Sequence, residues 1–146
     1  MAALIWHPAC GRGKMVKDTV LDYVKAINEH NIEKIYALMA DDYMFIDTYA
    51  SKVHGKDAMK NGWIGYFEWF PDYLIEATDI LVKDKTVVII GYASATFQGI
   101  KTSDNKNYWK LPAAWKVVVE NGKIQLWQVV CDSKIPFDIM NNAGES

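Results

Sequence analysis

From Val16 onward the apolar positions recur at helical steps, with Val16, Val20, Tyr23 or Val24, and Ile27 on one face. That spacing predicts an amphipathic helix, ended where Asn28 to Asn31 breaks the pattern. Asn31 is a good N-cap, because its side-chain oxygen can accept from an unpaired N–H of the following turn. Glu33 then stands where the helix dipole favours an acid. Ile32, Ile35, Tyr36 and Met39 make the stripe of a second, short helix, closed by Asp41-Asp42. Asp42 to Tyr49 alternates as a strand, with Tyr43, Phe45, Asp47 and Tyr49 on one face and Met44, Ile46 and Thr48 on the other. Gly55 to Phe70 returns to helical spacing through Met59, Trp63, Tyr66 or Phe67, and Phe70, and Pro71 ends it.

Beyond Pro71 the pattern is that of strands. Tyr73 to Lys83 alternates loosely, Asp84-Lys85 turns it, and Thr86 to Gln98 is a long β-branched run. Gly99 to Asn107 reads as a polar loop. Tyr108 to Glu120 and Lys123 to Ser133 flank Asn121-Gly122, a dipeptide that favours a type I′ hairpin turn. The tail from Pro136 is expected to form a short turn of helix. Helices grouped early and strands grouped late indicate an α+β fold. No internal repeat or linker is present, so one domain is expected over residues 16–146, after a tail at 1–15 that lacks a helical or strand period.

Composition sharpens this picture. The chain has 146 residues, of which 51% are apolar, enough to build a full core. Its formal net charge is −2, and it carries no basic run, which argues against nucleic acid as a partner. No apolar run approaches the ~18 residues of a membrane span, and the first residues lack the pattern of a secretory signal. Cys10 and Cys131 form no CxxC pair, and with three scattered His they give no ligand spacing for a metal. Free thiols fit a reducing compartment, so a cytoplasmic protein is expected. No GxGxxG, P-loop, HExxH or GxSxG occurs, and chemistry without a cofactor is the natural expectation.

Ala40-Asp41-Asp42, a strand ending at Asp47, and His54-Gly55-Lys56-Asp57-Ala58 resemble the entry pattern of the SnoaL-like, nuclear transport factor 2-like superfamily. Asn121-Gly122-Lys123-Ile124 through Trp127-Gln128-Val129 to Asp132 is similar to that superfamily's last hairpin. The resemblance covers roughly Val16 to Ile139. It implies a cone-shaped α+β barrel of cystatin-like topology, with three N-terminal helices over a curved antiparallel sheet and a deep apolar pocket between them. The superfamily includes ketosteroid isomerase, limonene epoxide hydrolase, scytalone dehydratase, polyketide cyclases and noncatalytic binding proteins. The fold alone therefore leaves the chemistry open, and the site has to decide it.

The stretch from Tyr23 to Asp47 is similar, without gaps, to the ketosteroid isomerase segment joining its oxyanion tyrosine to its general base. The resemblance implies that Tyr23 donates to a substrate oxygen and that Asp47 moves a proton. These are roles a phenol and a carboxylate can fill in an apolar pocket. The position of that enzyme's second acid reads Ala114 here, so half of its oxyanion hole is missing. Asp132 matches the place of a catalytic aspartate in limonene epoxide hydrolase and SnoaL-like cyclases. The hydrolase's partner Arg and Asp, however, are replaced by Gly91 and Ala93. Either aspartate could instead cap the turn that follows it.

Asp47, Asp132 and Tyr23 are thus the candidate catalytic residues. The expected pocket wall is Phe45, Met59, Trp63, Phe67, Ala114, Lys116, Gln128 and Val130. Two carboxyls meeting in one apolar pocket would supply an acid and a base. The expected ligand is a small apolar molecule, cyclic and bearing a carbonyl or hydroxyl. The expected reaction is isomerisation, dehydration or cyclisation. Epoxide hydrolysis and noncatalytic binding are the alternatives. A homodimer is expected, because both faces of the late strands are apolar and three helices cover only one. Val87, Ile89, Trp115, Val117 and Trp127 are the large apolar residues behind that expectation.

Overall fold

A computed structural model describes residues 8–144. Helix α1 (Pro8–Asn28) is followed by α2 (Ile32–Leu38), strand β1 (Met39–Ile46), a short β2 (Lys52–His54) and α3 (Lys56–Trp69). Strands β3 (Leu74–Lys83), β4 (Thr86–Thr96), β5 (Tyr108–Glu120) and β6 (Lys123–Cys131) come next, and helix α4 (Lys134–Gly144) closes the chain. The expected α+β architecture is present. Its sheet has six strands in the order β2-β1-β6-β5-β4-β3. β3 to β6 form an antiparallel meander, and β1 joins the edge of β6 in parallel.

The helices form where the apolar spacing places them. Val16, Val20, Tyr23, Val24 and Ile27 are all buried, and each fully buried side chain of this kind is worth roughly 1.5–3 kcal/mol. Asn31 caps α2, accepting from the Lys34 N–H at 3.1 Å. The end of α1 is pinned to the sheet by polar contacts. Asn28 exchanges two hydrogen bonds with the backbone of Ile75, and His30 meets the Tyr73 carbonyl at 3.0 Å. The Asn121-Gly122 hairpin forms with both residues at positive φ, 51° and 73°, as a type I′ turn requires.

Strand β1 runs Met39–Ile46 where the sequence predicts Asp42 to Tyr49, which takes Met39 from the second helix and leaves Asp47 to Tyr49 in a turn; beyond this shift, three features differ from the sequence expectation. Helix α1 begins at Pro8 rather than at Val16; residues 1–7 of the expected tail lie outside the described residues. A strand, β2, pairs with β1 through Met44 and His54, and its three residues are too few to show a period. The third difference concerns the faces of β5 and β6. Ala113, Trp115, Val117 and Trp127 are buried beneath the helices, while Lys116 and Val130 are exposed on the other side. Side chains alternate strictly along a strand, so a one-residue error in face exchanges the whole set.

Val87, Ile89, Trp115, Val117 and Trp127 therefore belong to the inner core and cannot form an outer patch. The outer face carries other apolar residues, in a cross-strand row of Ile90, Ala114 and Val130. Gly91 is required where it stands. A Cβ there would lie 1.9 Å from the Glu76 carbonyl oxygen, because β3 presses close at its bulge between Ala77 and Asp79.

Candidate functional site

Between the helices and the inner face of the sheet lies a cavity of about 290 Å³. Helix α3 contributes Met59, Gly62, Trp63, Tyr66 and Trp69, and the following turn adds Phe70 and Tyr73. The sheet contributes Phe45, Val53, Ala93, Trp109, Trp115, Trp127, Val129 and Cys131. Small residues at Gly62 and Ala93 leave room where larger side chains would close the space. Five of the chain's six tryptophans line this cavity, so it offers flat faces to a ring-shaped guest.

The rim is built from the β1–β2 turn and α4: Asp47, Thr48 and Tyr49 on one side, Ser133, Pro136, Phe137 and Met140 on the other. The Thr48 hydroxyl donates to Ser133 Oγ at 2.8 Å, and the Tyr49 and Phe137 rings meet with centroids 5.8 Å apart. Tyr49 is 68% exposed and Phe137 41%, which marks this side as the one open to solvent.

Among the cavity-lining residues Asp47 is the sole carboxylate. Its Oδ1 accepts from the backbone N–H groups of Tyr49 and Ser51, both at 2.9 Å. These bonds hold the turn and orient the carboxylate, and they leave Oδ2 without a protein partner among the described residues.

Asp132 lies elsewhere. It is exposed, does not line the cavity, and its Oδ1 accepts from the N–H of Lys134, the first residue of α4. Cys131 and Ser133, its neighbours on either side, are the residues that reach the cavity. The expected pair of carboxyls in one pocket is therefore not formed.

Tyr23 is fully buried behind the wall rather than part of it. Its hydroxyl accepts from Trp63 Nε1 at 3.1 Å and shares a hydrogen bond with the Tyr43 hydroxyl at 2.8 Å. The Trp127 ring packs edge-on against it with centroids 5.0 Å apart. Burial pushes the Tyr23 phenol well above the ordinary tyrosine range, against the opposing pull of its two hydrogen bonds. Its hydroxyl is engaged by Trp63 and Tyr43 in the core, behind the cavity wall.

Of the eight expected wall residues, Phe45, Met59 and Trp63 line the cavity. Phe67 stands behind Trp63, stacked between that ring at 5.3 Å and His30 at 4.0 Å. Ala114, Lys116, Gln128 and Val130 alternate with the inward residues and project from the outer face.

Several inner residues were not among those expected to line the pocket. Trp109 Nε1 is buried and has no hydrogen-bond partner among the described residues. The hydroxyls of Tyr66 and Tyr73 likewise bond to no described residue, although both rings line the cavity. Burial raises both phenols, Cys131 adds to each, and Tyr66 adds further to Tyr73. Burial also pushes the Cys131 thiol up, with the Asp132 charge adding to it. The polar outward positions Lys110 and Lys116 were the available signal, since they place Trp109 and Trp115 on the inner face. Among the described residues no group of three or more His, Cys, Asp or Glu is gathered as for a metal ion. No described helix is long and apolar enough to cross a membrane.

Comparison with known proteins places this geometry in context. The family model described as SnoaL-like domain matches residues 20–127. No curated protein sequence matches the chain. Among solved structures, an LEH-like epoxide hydrolase from M. tuberculosis is similar at TM-score 0.73 and 12% identity, over 89% of this chain and 92% of that one. A candidate SnoaL-like polyketide cyclase from Shewanella denitrificans OS-217 is similar at TM-score 0.74 and 15% identity, over 88% and 98%. An NTF2-like protein from Burkholderia xenovorans LB400 is similar at 0.69 and 14%, over 87% and 96%. At these identities the likeness establishes a shared fold.

Proposed function

Since the chain belongs to the SnoaL-like domain family and encloses an aromatic cavity with one carboxylate at its rim, we propose that it is a small-molecule enzyme in which Asp47 moves a proton. The substrate is an apolar, ring-bearing compound with a carbonyl or hydroxyl. The reaction is of the isomerase, dehydratase or cyclase type. The observation that carries this reading is the placement of Asp47. Its Oδ1 is held by two backbone N–H groups, so the side chain has one orientation, and its Oδ2 is left for a guest. A carboxylate fixed in this way is prepared for general-base work, which contributes typically about 10²–10⁴-fold.

This chemistry uses one carboxylate. Asp132 caps α4 and takes no part, and Tyr23 serves the core. The epoxide hydrolase alternative loses support for the same reason, since Asp132 would have to reach a water inside the cavity.

A second reading, ligand binding without turnover, is favoured by one observation: the two hydrogen bonds on Asp47 are also what the β1–β2 turn needs to hold its shape. The two readings separate on Asp47→Asn. The substitution keeps the volume and the acceptor oxygen of the turn. An enzyme loses turnover and keeps ligand affinity, whereas a binding protein is unchanged in both. In either case the chain is proposed to pair with a second copy across the outer face that carries Ile90 and Val130.

A further inference from the structure

We propose that a polar pocket at the end of β4 and the start of β5, formed around Thr96 and Asn107, binds an uncharged sugar ring. The pocket measures about 330 Å³ and shares no lining residue with the aromatic cavity, so its occupancy is independent of the chemistry proposed for Asp47.

Three segments meet to build it. Asp72 follows Pro71 after α3, and its Oδ1 accepts from the Thr96 N–H at 2.6 Å. The loop between β4 and β5 folds back on itself. Asn107 Nδ2 donates to the Ile100 carbonyl at 2.9 Å, and the Asn107 carbonyl accepts from the Phe97 N–H at 2.9 Å. Thr96 and Tyr108 are cross-strand neighbours. Thr96 is 4% exposed and Asn107 8%, yet Thr96 Oγ1 and Asn107 Oδ1 bond to no described residue. Among the described residues, Trp109 Nε1 is the only side-chain nitrogen or oxygen that both lacks a partner and is shut off from solvent. The two oxygens are therefore open, and both residues line this pocket. Polar atoms in residues this deeply set ordinarily have a partner within the fold. Here they sit in a hydrogen-bonded frame that leaves them to whatever fills the pocket.

The chemistry of the guest follows from the lining. Asp72 Oδ2 also bonds to no described residue, so the pocket offers three acceptors. Lys101 lines the same pocket without an ion pair among the described residues, and its ammonium can only donate. A guest has to donate at several points and accept at another, and hydroxyl groups do both. The deepest polar groups are neutral, while Asp72 and Lys101 are exposed and opposite in sign. Neither a cation nor an anion finds an unopposed partner there. Tyr108 and Ile100, 43% and 52% exposed, add an apolar edge against which the C–H face of a sugar ring packs.

The test titrates the methyl glycosides of glucose, galactose and mannose into the whole isotope-labelled chain and follows its amide NMR signals. Cyclohexanol, a ring of similar size with one hydroxyl, adenosine and calcium chloride are the rival probes. At least one glycoside is expected to shift the Thr96 and Lys101 backbone amides and the Asn107 side-chain amide, and to saturate in the millimolar range. The Trp63 and Trp127 indole signals of the cavity should stay in place. Cyclohexanol should bind about tenfold more weakly, the equivalent of one lost hydrogen bond. Thr96→Val removes the hydroxyl and keeps the backbone N–H that Asp72 accepts. It should weaken the glycoside about tenfold and leave the melting temperature unchanged. Tyr108→Ala, at the exposed edge, should weaken it severalfold, and this serves if the first variant melts early. No saturable shift from any glycoside, shifts confined to the cavity, full affinity in both variants, or tighter binding of adenosine, calcium or cyclohexanol overturns the sugar site.

Discussion

Trp63 Nε1 donates to the Tyr23 hydroxyl at 3.1 Å, and through this bond a wall residue of the cavity is tied to the buried Tyr23–Tyr43 pair. Tyr23→Phe leaves both Trp63 Nε1 and the Tyr43 hydroxyl without that partner in a fully buried place. Each unsatisfied group costs about 1–3 kcal/mol. The substitution is therefore expected to lower stability to urea by roughly 2–6 kcal/mol and to leave ligand affinity within about twofold, equivalent to less than ~0.5 kcal/mol. Urea denaturation and a ligand titration on the same variant check both parts. A large loss of turnover without loss of stability would return Tyr23 to a catalytic role.

Asp132 should be dispensable for turnover. Its Oδ1 bonds the Lys134 N–H at the start of α4, a task asparagine can also perform. Asp132→Asn is expected to keep both activity and stability. Asp132→Ala should lose about 0.5–2 kcal/mol of stability and keep activity. Steady-state rates with thermal melts measure the two effects.

Cys131 is half-buried in the cavity wall, and burial together with the Asp132 charge raises its thiol above the ordinary range. The thiolate is the reactive form, so raising this pKa leaves less of it at neutral pH. Alkylation by iodoacetamide, in a Cys10→Ser background, should be slower than for a free thiol at pH 7.5. It should gain rate only as the pH climbs past that of an ordinary cysteine. A bound guest should slow it further, because Cys131 shares the cavity with it. Mass spectrometry of the alkylated chain follows both effects. Fast labelling at neutral pH, unaffected by a guest, would place the thiol outside the cavity.

Much of the fold was legible because its signals were redundant. The α1 face from Val16 to Ile27, the Asn31 cap and the Asn121-Gly122 turn each agree with the element beside them. The site was less legible. β5 and β6 are apolar on both faces, so composition did not distinguish Ala114 from Trp115 or Val130 from Val129. The resemblance placed Ala114 and Asp132 inward, while Lys110 and Lys116 signalled the opposite face. The donors of Trp109, Tyr66 and Tyr73 could not be seen in the sequence, because a side chain without a partner is a property of packing. The place of Asp47 beside the cavity was legible because it directly follows a strand whose inward face, Tyr43 and Phe45, is marked by large aromatic residues.

The outer face should hold two copies together. Val130 is 59% exposed and Ile90 is 42% exposed, in one cross-strand row with Ala114 between them. Sedimentation at micromolar concentration is expected to give a dimer. Val130→Glu should shift it towards monomer without changing the far-ultraviolet circular dichroism. A wild-type monomer would remove the proposed pairing.

Asp47 is proposed to move a proton on a carbonyl compound held in the cavity, and hydrogen–deuterium exchange at the carbon beside that carbonyl reads this step. The chain is incubated with 1-tetralone in D2O near neutral pD, and loss of the protons on the carbon beside the carbonyl is followed by NMR. The wild-type chain is expected to accelerate exchange over buffer, and Asp47→Asn to remove most of that acceleration, about 10²-fold or more for a general base, with tetralone affinity unchanged. Exchange at the buffer rate in the wild-type chain despite bound tetralone, or full acceleration retained in Asp47→Asn, would contradict the claim.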